Sequence, residues 1–517
     1  MSNPGYGIWK PMAQNVEIDA LESNVNAALS VADTVRTTLG PKGLDKLLID
    51  QAMNRHVSND GVTILLSLRT IHPVARMMVE IAERQEQLVG DGTTTAVVMA
   101  AEMIKEGKRL IRELGVHPTK VVEGIEAGVV HACELLEKES IKVTLNDIKL
   151  EQVVRTSLAS KLDGLSLSNI VISALKTVGD NALHDGSYDF EKAIAVLRKP
   201  NSSDRVVSAM VLERRRMDPS MPLEVVDAKI MICKLDLKPV KESWLKENAR
   251  YQDILTMEKD RTDKSKEIID SLLRTGANVL LIASPEIDEI IENLLIARKV
   301  LALRISTEEI EHLVRYTGAK PVRMFEDLED SGILGQAARI YEDEDQGLIF
   351  IENGAGKNVV TILVSGTTKE TSLERWRAVL DGINAAEAAL NKNAVPGGGA
   401  AELHIVSKLK DLRLKGLEQV GLDVVIVALE SVMRQILSNA GFNGLEKVMA
   451  AKASPYGFGI DVDTGNPTDM LKAGVLDPLL VKTMALQAAG EIAKSVLRID
   501  RNLAAADLDQ QAVSETV

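Results

Sequence analysis

The chain has 517 residues with a formal net charge of −14, and 45% of its residues are hydrophobic. This composition is typical of a soluble globular protein, and the length exceeds what one hydrophobic core fills, which predicts roughly two to four domains. The acidic balance excludes non-specific binding to nucleic acid or to an anionic membrane surface. Aromatic residues make up only 3%. The core must therefore consist mainly of Ala, Val, Leu, Ile and Met, which favours closely packed helices.

The cysteines and the N-terminal segment indicate the compartment. Cys133 and Cys233 are far apart in the sequence and lack the spacing of metal ligands, so a reducing compartment is expected. The first residues, MSNPGYGIWKPM, contain no basic region followed by an apolar run, as a secretory signal would. No apolar run approaches the roughly 20 residues that span a bilayer. We therefore expect a cytoplasmic protein.

The first part of the chain predicts a helical bundle. Apolar residues at three- and four-residue steps predict a helix over 15–38, which ends at the Leu-Gly-Pro breaker of 39–41. A second helix is predicted after Pro73, which suits a first helical position. A third begins within the threonines at 93–95 and ends at Gly115, and a fourth spans 118–138.

The middle of the chain has a different pattern. Helical segments alternate there with short apolar runs, which predicts an α/β layer domain. The predicted strands are 228–235, 278–284, 300–306, 347–352 and 358–366, and the predicted helices are 265–274, 286–298 and 307–316. Residues 397–517 return to helices, at 417–440 and 479–496. The simplest arrangement is an α/β insertion in a helical domain built by both chain ends.

One segment of the middle region, 237–265, is longer than a connection requires. It is rich in charge but also carries Trp244, Tyr251 and Ile254. One interpretation is a solvated surface helix. The other is an arm whose apolar residues contact a partner. The pattern leaves both open.

The stretch GDGTTT, residues 90–95, precedes a helical run. Glycines allow a close backbone approach, and the N–H groups and dipole of a helix start attract phosphate. Threonine hydroxyls can add hydrogen bonds. Asp91 would repel phosphate unless a cation intervened, which makes it a candidate Mg²⁺ ligand. The alternative is that Asp91 or a threonine caps the helix.

Other candidate residues are ordinary in isolation. Asp60 lies in a turn-like Asn-Asp-Gly stretch, Asp381 is a helix acid, and Lys161 would by default be solvated. Two carboxylates around a magnesium triphosphate could nevertheless orient and deprotonate a water, and a lysine could contact the γ-phosphate. A Walker A loop is absent, which disfavours a P-loop fold. The seven histidines form no metal-type cluster, and no Ser-His-Asp or nucleophilic cysteine motif is evident.

Five motifs in order carry a family resemblance: TLGPKGLDKLL, SNDGVTIL, VGDGTTTAVV, PGGGAAE and GVLDPLLVKTMALQ. The set resembles the chaperonin family, and is closer to the thermosome-like group II type, or the divergent bacterial group III type, than to the GroEL type. The resemblance implies a discontinuous fold with three domains. These are a mainly α-helical equatorial domain (1–140 and 397–517), an α/β intermediate domain (141–210 and 366–396) and an α/β apical domain (211–365). The segment 237–265 would be the helical protrusion of the apical domain, a built-in lid.

The resemblance also implies residue roles. Asp60 and Asp381 would be the hydrolytic carboxylates, and Asp91 would bind Mg²⁺. Gly398 would pack near the nucleoside, and Asp477 would contact the ribose. The nucleotide-binding residues would be Thr38, Leu39, Gly40, Pro41, Asn59, Gly61, Gly92, Thr93, Thr94, Thr95, Lys161, Gly398, Val475 and Asp477.

The function implied is an ATP-dependent chaperone. Its subunits would form two stacked rings of identical chains that enclose unfolded client proteins without a separate co-chaperonin lid. Its cofactors would be ATP or ADP and Mg²⁺, with K⁺ as a further candidate. Nucleic acid and membrane are not expected partners. Two rival functions remain at this point: a small-molecule phosphotransferase that uses GDGTTT, and a non-catalytic scaffold of chaperonin fold.

Overall fold

The chain forms two compact units. The computed structural model describes residues 9–11, 20–49, 53, 55–68, 70–200, 202–235, 237, 251–284, 287–330, 332–412, 416 and 418–505. Unit 1 comprises Met1–Leu165 and Asn384–Val517, and unit 2 comprises Ser166–Ile383. Both chain ends therefore belong to unit 1, and the predicted nested insertion is confirmed. The division into three domains stays a prediction.

The helices follow the predicted order. They are α1 (Ala20–Val35), α2 (Gly61–Ser67), α3 (Pro73–Val89), α4 (Thr93–Glu113), α5 (Pro118–Lys138), α6 (Ile148–Ser157), α7 (Gly164–Val178), α8 (Tyr251–Arg274), α9 (Glu289–Ala297), α10 (Glu309–Thr317), α11 (Lys369–Lys392), α12 (Ala400–Asp411), α13 (Glu418–Asn439), α14 (Gly444–Lys452), α15 (Met470–Ala473) and α16 (Leu479–Leu497). The unit boundaries fall inside α7 and α11. Within the described ranges, no helix is both long and apolar enough to cross a membrane.

The strands form one large sheet and several small ones. They are β1 (Trp9–Pro11), β2 (Lys46–Ile49), β3 (Arg55–Ser58), β4 (Leu183–His184), β5 (Ser187–Tyr188), β6 (Ile194–Arg198), β7 (Arg205–Val207), β8 (Met210–Leu212), β9 (Glu224–Cys233), β10 (Val279–Ile282), β11 (Leu301–Arg304), β12 (Gly335–Asp343), β13 (Leu348–Gly354), β14 (Val360–Val364), β15 (Ala394–Pro396), β16 (Phe458–Ile460), β17 (Pro467–Asp469), β18 (Leu476–Pro478) and β19 (Leu503–Ala505).

Unit 1 is a bundle around α4. Every residue of α4 from Thr93 to Ile104 is buried, so the first half of this helix is enclosed on all sides. Its core cluster combines α1, α3, α4 and α5 with α12, α13 and α16 from the far end of the chain. The helices approach closely where small residues meet. A methyl group on Gly124 of α5 would lie only 2.6 Å from the Cα atom of Gly421 in α13. The predicted helical bundle of small aliphatic residues is confirmed.

Unit 2 contains a six-stranded sheet in the order β11-β10-β9-β12-β13-β8. Strands β9, β10 and β11 are parallel, and α8 and α9 connect them, as the strand–helix alternation predicts. Alternate residues face opposite sides of a strand. Ile230 and Ile232 accordingly join one core, while Met231 and Cys233 join the other core, which α8 and α9 cover. Burial raises the pKa of the Cys233 thiol to about 11, so it behaves as a core residue.

Part of the segment 237–265 lies outside the described residues, namely 238–250. From Tyr251 onward it forms α8, a single helix that continues to Arg274, so the helix predicted at 265–274 is the end of a longer one. Ile269 and Leu272 are buried in the core against the sheet. Arg261 forms an ion pair with Asp288 at 2.6 Å, which attaches this helix to the start of α9. The lid assignment stays a prediction.

A three-stranded sheet also belongs to unit 2. Strand β14 lies between β6, which is parallel to it, and β7, which is antiparallel. Arg375 of α11 pairs with Asp204, and the Trp376 indole N–H donates to the Val196 carbonyl at 3.0 Å. These contacts fix the first half of α11 on the sheet.

Candidate functional site

Helix α4 begins without a side-chain cap. Its N-cap residue is Gly92, at φ +78°, and this helix start has no side-chain cap hydrogen bond. The first helical bond joins the Ala96 N–H to the Gly92 carbonyl at 3.1 Å. The side chains of Thr93, Thr94 and Thr95 are all buried around this start. The interpretation that Asp91 or a threonine caps α4 is therefore wrong, and the helix start keeps the N–H groups and dipole that attract an anion.

The short connection from α3 to α4 requires glycine twice. Gly90 ends α3 at φ +68°, where its N–H donates to the Glu86 carbonyl. A methyl group on Gly92 would lie 2.5 Å from Cγ1 of Val481. Positive φ and the lack of space both exclude larger residues. Glycine at 92 thus allows the Asp91 corner to pack closely against the start of α16.

Asp91 is half-buried between two hydrogen bonds. Its Oδ1 accepts from the Gly92 N–H at 2.6 Å, and its Oδ2 accepts from the Ser157 hydroxyl at 3.1 Å. Burial raises the pKa of Asp91, the charge of Asp477 adds to this, and the Gly92 N–H and the Lys161 charge oppose it. The protein alone therefore leaves the ionised carboxylate incompletely compensated, and a bound cation would supply the missing charge.

The donor set fits Mg²⁺. Among the residues that the structure describes, no group of three or more His, Cys, Asp or Glu side chains could hold a metal ion. Mg²⁺ is commonly held by one or two carboxylates together with phosphate oxygens and water, rather than by a protein cage. A single carboxylate beside an uncapped helix start meets that requirement.

Helix α2 begins against α4. Asp60 is its N-cap, and its Oδ2 accepts from the Thr63 N–H at 2.9 Å and from the Thr63 hydroxyl at 2.6 Å. A methyl group on Gly61 would lie 2.5 Å from the Thr94 hydroxyl oxygen and 2.9 Å from that of Thr93. The structure thus brings together the NDG and GDGTTT motifs, and glycine at 61 is what allows their close approach.

The late glycine run lies beside the late aspartate. Strands β15 and β18 are antiparallel, with Val395 opposite Asp477. The Gly397 N–H donates to the Val475 carbonyl at 2.9 Å. Gly398 has φ +65°, and Val475 Cγ1 is the nearest atom that a methyl group there would meet, at 4.0 Å. The PGGG and VLDP motifs therefore form one local structure.

Hydrogen bonds join this structure to the Asp91 corner and to the end of α6. The Gln85 amide donates to the carbonyls of Asp91 at 2.9 Å and Val481 at 3.3 Å. The Leu476 N–H donates to the Thr156 hydroxyl at 3.2 Å, next to Ser157. Four predicted motif regions thus converge within unit 1. Lys161 follows α6 in the same unit, and its positive charge lowers the pKa of Asp91.

The stretch 38–41 is held against α13. The Asn439 amide donates to the carbonyls of Arg36 and Leu39, each at 2.8 Å. The Thr38 hydroxyl donates to the Val35 carbonyl at 2.9 Å, and Gly40 has φ +86° and packs against Ile436. Pro41 is exposed. The role of this stretch in nucleotide binding stays a prediction.

Asn59 and Asp381 complete the set of predicted site residues. Asn59 donates to the Ser160 carbonyl at 2.8 Å, directly before Lys161. Asp381 lies on α11 and is half-buried. It belongs to unit 2, whereas Asp60 and Asp91 belong to unit 1. Its role as a hydrolytic carboxylate stays a prediction.

Sequence reasoning missed several residues of the site. Gln85 and Ser157 hold Asp91, and both precede the predicted motif residues by only a few positions. Glu402 and Lys482 lie within the quoted motifs PGGGAAE and GVLDPLLVKTMALQ, yet neither received a role. Lys482 contacts both Glu402 and Asp477 at 2.7 Å. A charged residue at an otherwise apolar helix position was the available signal.

Comparisons with known proteins agree with this arrangement. The sequence profile of the TCP-1/cpn60 chaperonin family matches residues 31–506. Thermosome subunit alpha of Methanothermobacter thermautotrophicus is 35% identical over 515 residues, covering 96% of this chain and 93% of that protein. A thermosome subunit of Methanopyrus kandleri is 34% identical, covering 95% and 93%.

A solved structure is similar over the same extent. The crystal structure of a group III chaperonin in the open state superposes with a TM-score of 0.78 and 29% identity, covering 93% of this chain and 98% of that chain. The family profile, the relatives and the nested fold agree. The chain belongs to the TCP-1/cpn60 chaperonin family and is a chaperonin subunit of the thermosome-like, group II–III kind.

Proposed function

We propose that this chaperonin subunit is an ATPase that binds magnesium ATP at the start of α4. The observation that carries the proposal is the uncapped, glycine-opened N-terminus of α4, with three buried threonines and the Asp91 carboxylate beside it. A helix start of this kind favours phosphate. The nearby carboxylate is compatible with phosphate only when a divalent cation is present.

Different residues of the site bind the phosphates, the metal and the nucleoside. Backbone N–H groups at 93–95 and the threonine hydroxyls bind phosphate oxygens, and Lys161 adds a positive charge. Asp91 holds Mg²⁺, which supplies neutralisation of the phosphate charge when bound. ADP occupies the same site after hydrolysis, and K⁺ is a further candidate cation. The nucleoside end of the site is bordered by residues 38–41, Gly398 and Val475.

The hydrolytic step needs a group that orients and deprotonates water. Asp60 is held rigidly, because both cap bonds from Thr63 go to Oδ2 and leave Oδ1 outside the cap. Asp381 is the second carboxylate of the proposal, and this assignment rests on the family resemblance. Such a base contributes about 100-fold to 10,000-fold to a rate. Because Asp381 belongs to unit 2, its participation would couple hydrolysis to a conformational change.

The proposal extends to assembly and clients. Identical subunits form two stacked rings in the cytoplasm and enclose unfolded proteins, which protects them from aggregation. The segment 237–265 closes the cavity, so no separate co-chaperonin is needed. ATP shifts the ring toward closure by its differential affinity for the closed state.

The test of the ATPase is Asp381→Ala. We expect steady-state ATP turnover to fall by about 100-fold or more while ADP affinity changes less than threefold. Glu370→Ala on the same helix is the matched control and should keep normal turnover. Normal turnover in Asp381→Ala would overturn the assignment of the second carboxylate.

Particle shape separates the rivals. Negative-stain images should show double rings, whereas a small-molecule phosphotransferase should be a monomer or small oligomer and consume ATP only with an acceptor. A non-catalytic scaffold would form rings without turnover. Double rings with acceptor-independent turnover support the proposal, and any other combination contradicts it.

The lid is tested by a deletion designed around α8. Removing 241–258 and joining the ends with a short Gly-Ser linker retains Arg261 and its ion pair with Asp288. Rings and ATPase activity should persist, and a bound client should lose its protection from protease in ATP. A client that stays protected would show that this segment is not the lid.

A further inference from the structure

A buried group of three charges lies at the nucleoside end of the site. Lys482, on the first turn of α16, contacts Asp477 Oδ2 at 2.7 Å and Glu402 Oε1 at 2.7 Å. The Lys482 and Glu402 side chains are only 8% and 2% exposed, whereas that of Asp477 is 20% exposed. One cation thus serves two carboxylates, and Asp477 is the member of the group that reaches solvent.

The three residues come from different elements of the site. Glu402 lies in the first turn of α12, directly after the glycine run, and Asp477 lies on β18. Gly397 leaves room for Asp477, because a methyl group there would lie 3.1 Å from its carboxyl carbon and Oδ1. Lys482 therefore fixes one oxygen of Asp477 and joins the two motifs that border the nucleoside.

Electrostatics makes the lysine necessary for the orientation of Asp477. Glu402 shares its cation, and Asp91 is close enough for the Asp477 charge to raise its pKa. Like charges repel in a partly buried region. Without Lys482, the Asp477 carboxylate would turn toward solvent. Burial alone would lower the pKa of Lys482, but Asp477 and Glu402 outweigh this and raise it, so the cation is permanent.

We propose that Lys482 is a positioning residue that holds the Asp477 carboxylate as an acceptor for the sugar hydroxyls of the nucleotide, and thereby sets a preference for ribose over deoxyribose. This inference rests on the proposed nucleotide site. Because the Lys482 ammonium group contacts Oδ2 of Asp477, the sugar hydroxyls donate to Oδ1 of Asp477 and to the remaining lone pairs. Hydrogen bonds to a charged group contribute about tenfold to a hundredfold each in affinity.

The test compares two nucleotides on assembled protein by titration calorimetry with Mg²⁺. Wild type should bind ADP at least about tenfold more tightly than 2′,3′-dideoxyADP. The double variant Lys482→Met, Glu402→Gln removes the cation without leaving an unpaired buried acid, so it should fold where Lys482→Met alone fails. Its affinity for ADP should fall to that for dideoxyADP, and its affinity for dideoxyADP should stay that of wild type.

Two controls isolate the lysine. Glu402→Gln keeps the Lys482–Asp477 contact and should keep the sugar preference. Lys472→Met removes a lysine that is 86% exposed and pairs with Asp469, and should bind both nucleotides as wild type does.

Each outcome decides the inference. If the double variant keeps the wild-type preference, or weakens both nucleotides equally, Lys482 has only a structural role and the inference is overturned. A wild type that binds ADP without any sugar preference overturns it as well, while leaving the ATPase proposal intact. A wild type that binds neither nucleotide overturns the proposed function itself.

Discussion

The starts of α2 and α4 use the same dipeptide in opposite ways. An Asp-Gly dipeptide stands at the start of each helix, and the two starts pack together. Asp60 is itself the N-cap, with extended backbone at φ −74°, so its side chain reaches the Thr63 N–H. Asp91 precedes the N-cap glycine, and its carboxylate binds Gly92 and Ser157 instead. The helix starts one residue later relative to the aspartate in α4 than in α2. For this reason Asp60 caps its helix and Asp91 does not.

The open start of α4 matters for function because it leaves its first N–H groups without a side-chain acceptor. The cost in stability is small, since a glycine N-cap is only about a few tenths of a kcal/mol weaker than a side-chain cap. The unsatisfied N–H groups of α4 and the desolvated Asp91 are both features that a bound magnesium phosphate would satisfy. The two helix starts therefore give a built-in comparison between a structural aspartate and a ligand-binding one.

The largest expected effect is that of Asp91→Ala. The affinity for ADP in Mg²⁺ should fall by about 100-fold or more, because the metal loses its protein ligand. The thermal midpoint of the nucleotide-free protein should not decrease, since burial already disfavours the Asp91 charge. Calorimetric titration and a thermal melt measure both quantities. A strongly lowered midpoint with normal affinity would mean that Asp91 is structural after all.

Gly92→Ala should destabilise the protein by about 2–4 kcal/mol, since overpacking adds to the cost of a left-handed backbone. The new methyl group would lie 2.5 Å from Val481 Cγ1. Gly115→Ala is the matched control, because Gly115 has φ +65° and nothing lies within 4 Å of the added atom. It should cost only about 1 kcal/mol. Equal thermal shifts in the two variants would contradict the tight contact between α4 and α16.

Asp60→Ala removes a real cap and should lower the free energy of unfolding by about 1 kcal/mol. The affinity for ADP should stay within about threefold of wild type, because the carboxylate is not proposed to bind the metal. Thermal melts of this variant and of Asp91→Ala show directly whether the two aspartates contribute differently to stability. If the two variants melt alike, the distinction between a capping and a non-capping aspartate fails.

Ser157→Ala should have the smallest effect. Loss of one hydrogen bond to Asp91 Oδ2 should raise the Mg²⁺ concentration needed for half-maximal ATP turnover by about threefold. Ser495→Ala is the control, since its hydroxyl donates to the Glu491 carbonyl on its own helix. No difference between these variants would remove Ser157 from the site.

Local features of the fold were predictable from the sequence. Proline at 73 and 118 marks helix starts that the structure reproduces, and α4 ends at Glu113, two residues before the predicted Gly115. The five predicted strands all exist, because continuous apolar runs between turn residues are a strong signal. Strand β12 (GQAARIYED) was missed, since its polar residues conceal the alternation. The hairpin of β2 and β3 was missed as well, because its apolar residues Leu47 and Ile49 are exposed in this chain.

The geometry of the site was less predictable than its motifs. The sequence motifs indicated which stretches matter, but not that Gly61 packs on Thr94, or that Lys482 lies between Glu402 and Asp477. The Gly61–Thr94 and Glu402–Lys482 contacts join residues that are 33 and 80 positions apart, and periodicity carries no information over such separations. The cap alternative for Asp91 depended on backbone angles at a single glycine, which only the structure supplies.

The enclosure of α4 has a consequence for biosynthesis. Its neighbours α13 and α16 lie more than 300 residues downstream, so the part of α4 that packs against them has no partner while the ribosome is still making the second half of the chain. Unit 2 is complete at Ile383, before α13 and α16 exist. The inserted unit can therefore fold first, and the N-terminal helices must wait with apolar surface exposed. Until α16 is made, the nascent chain therefore carries apolar surface that only its last helices bury.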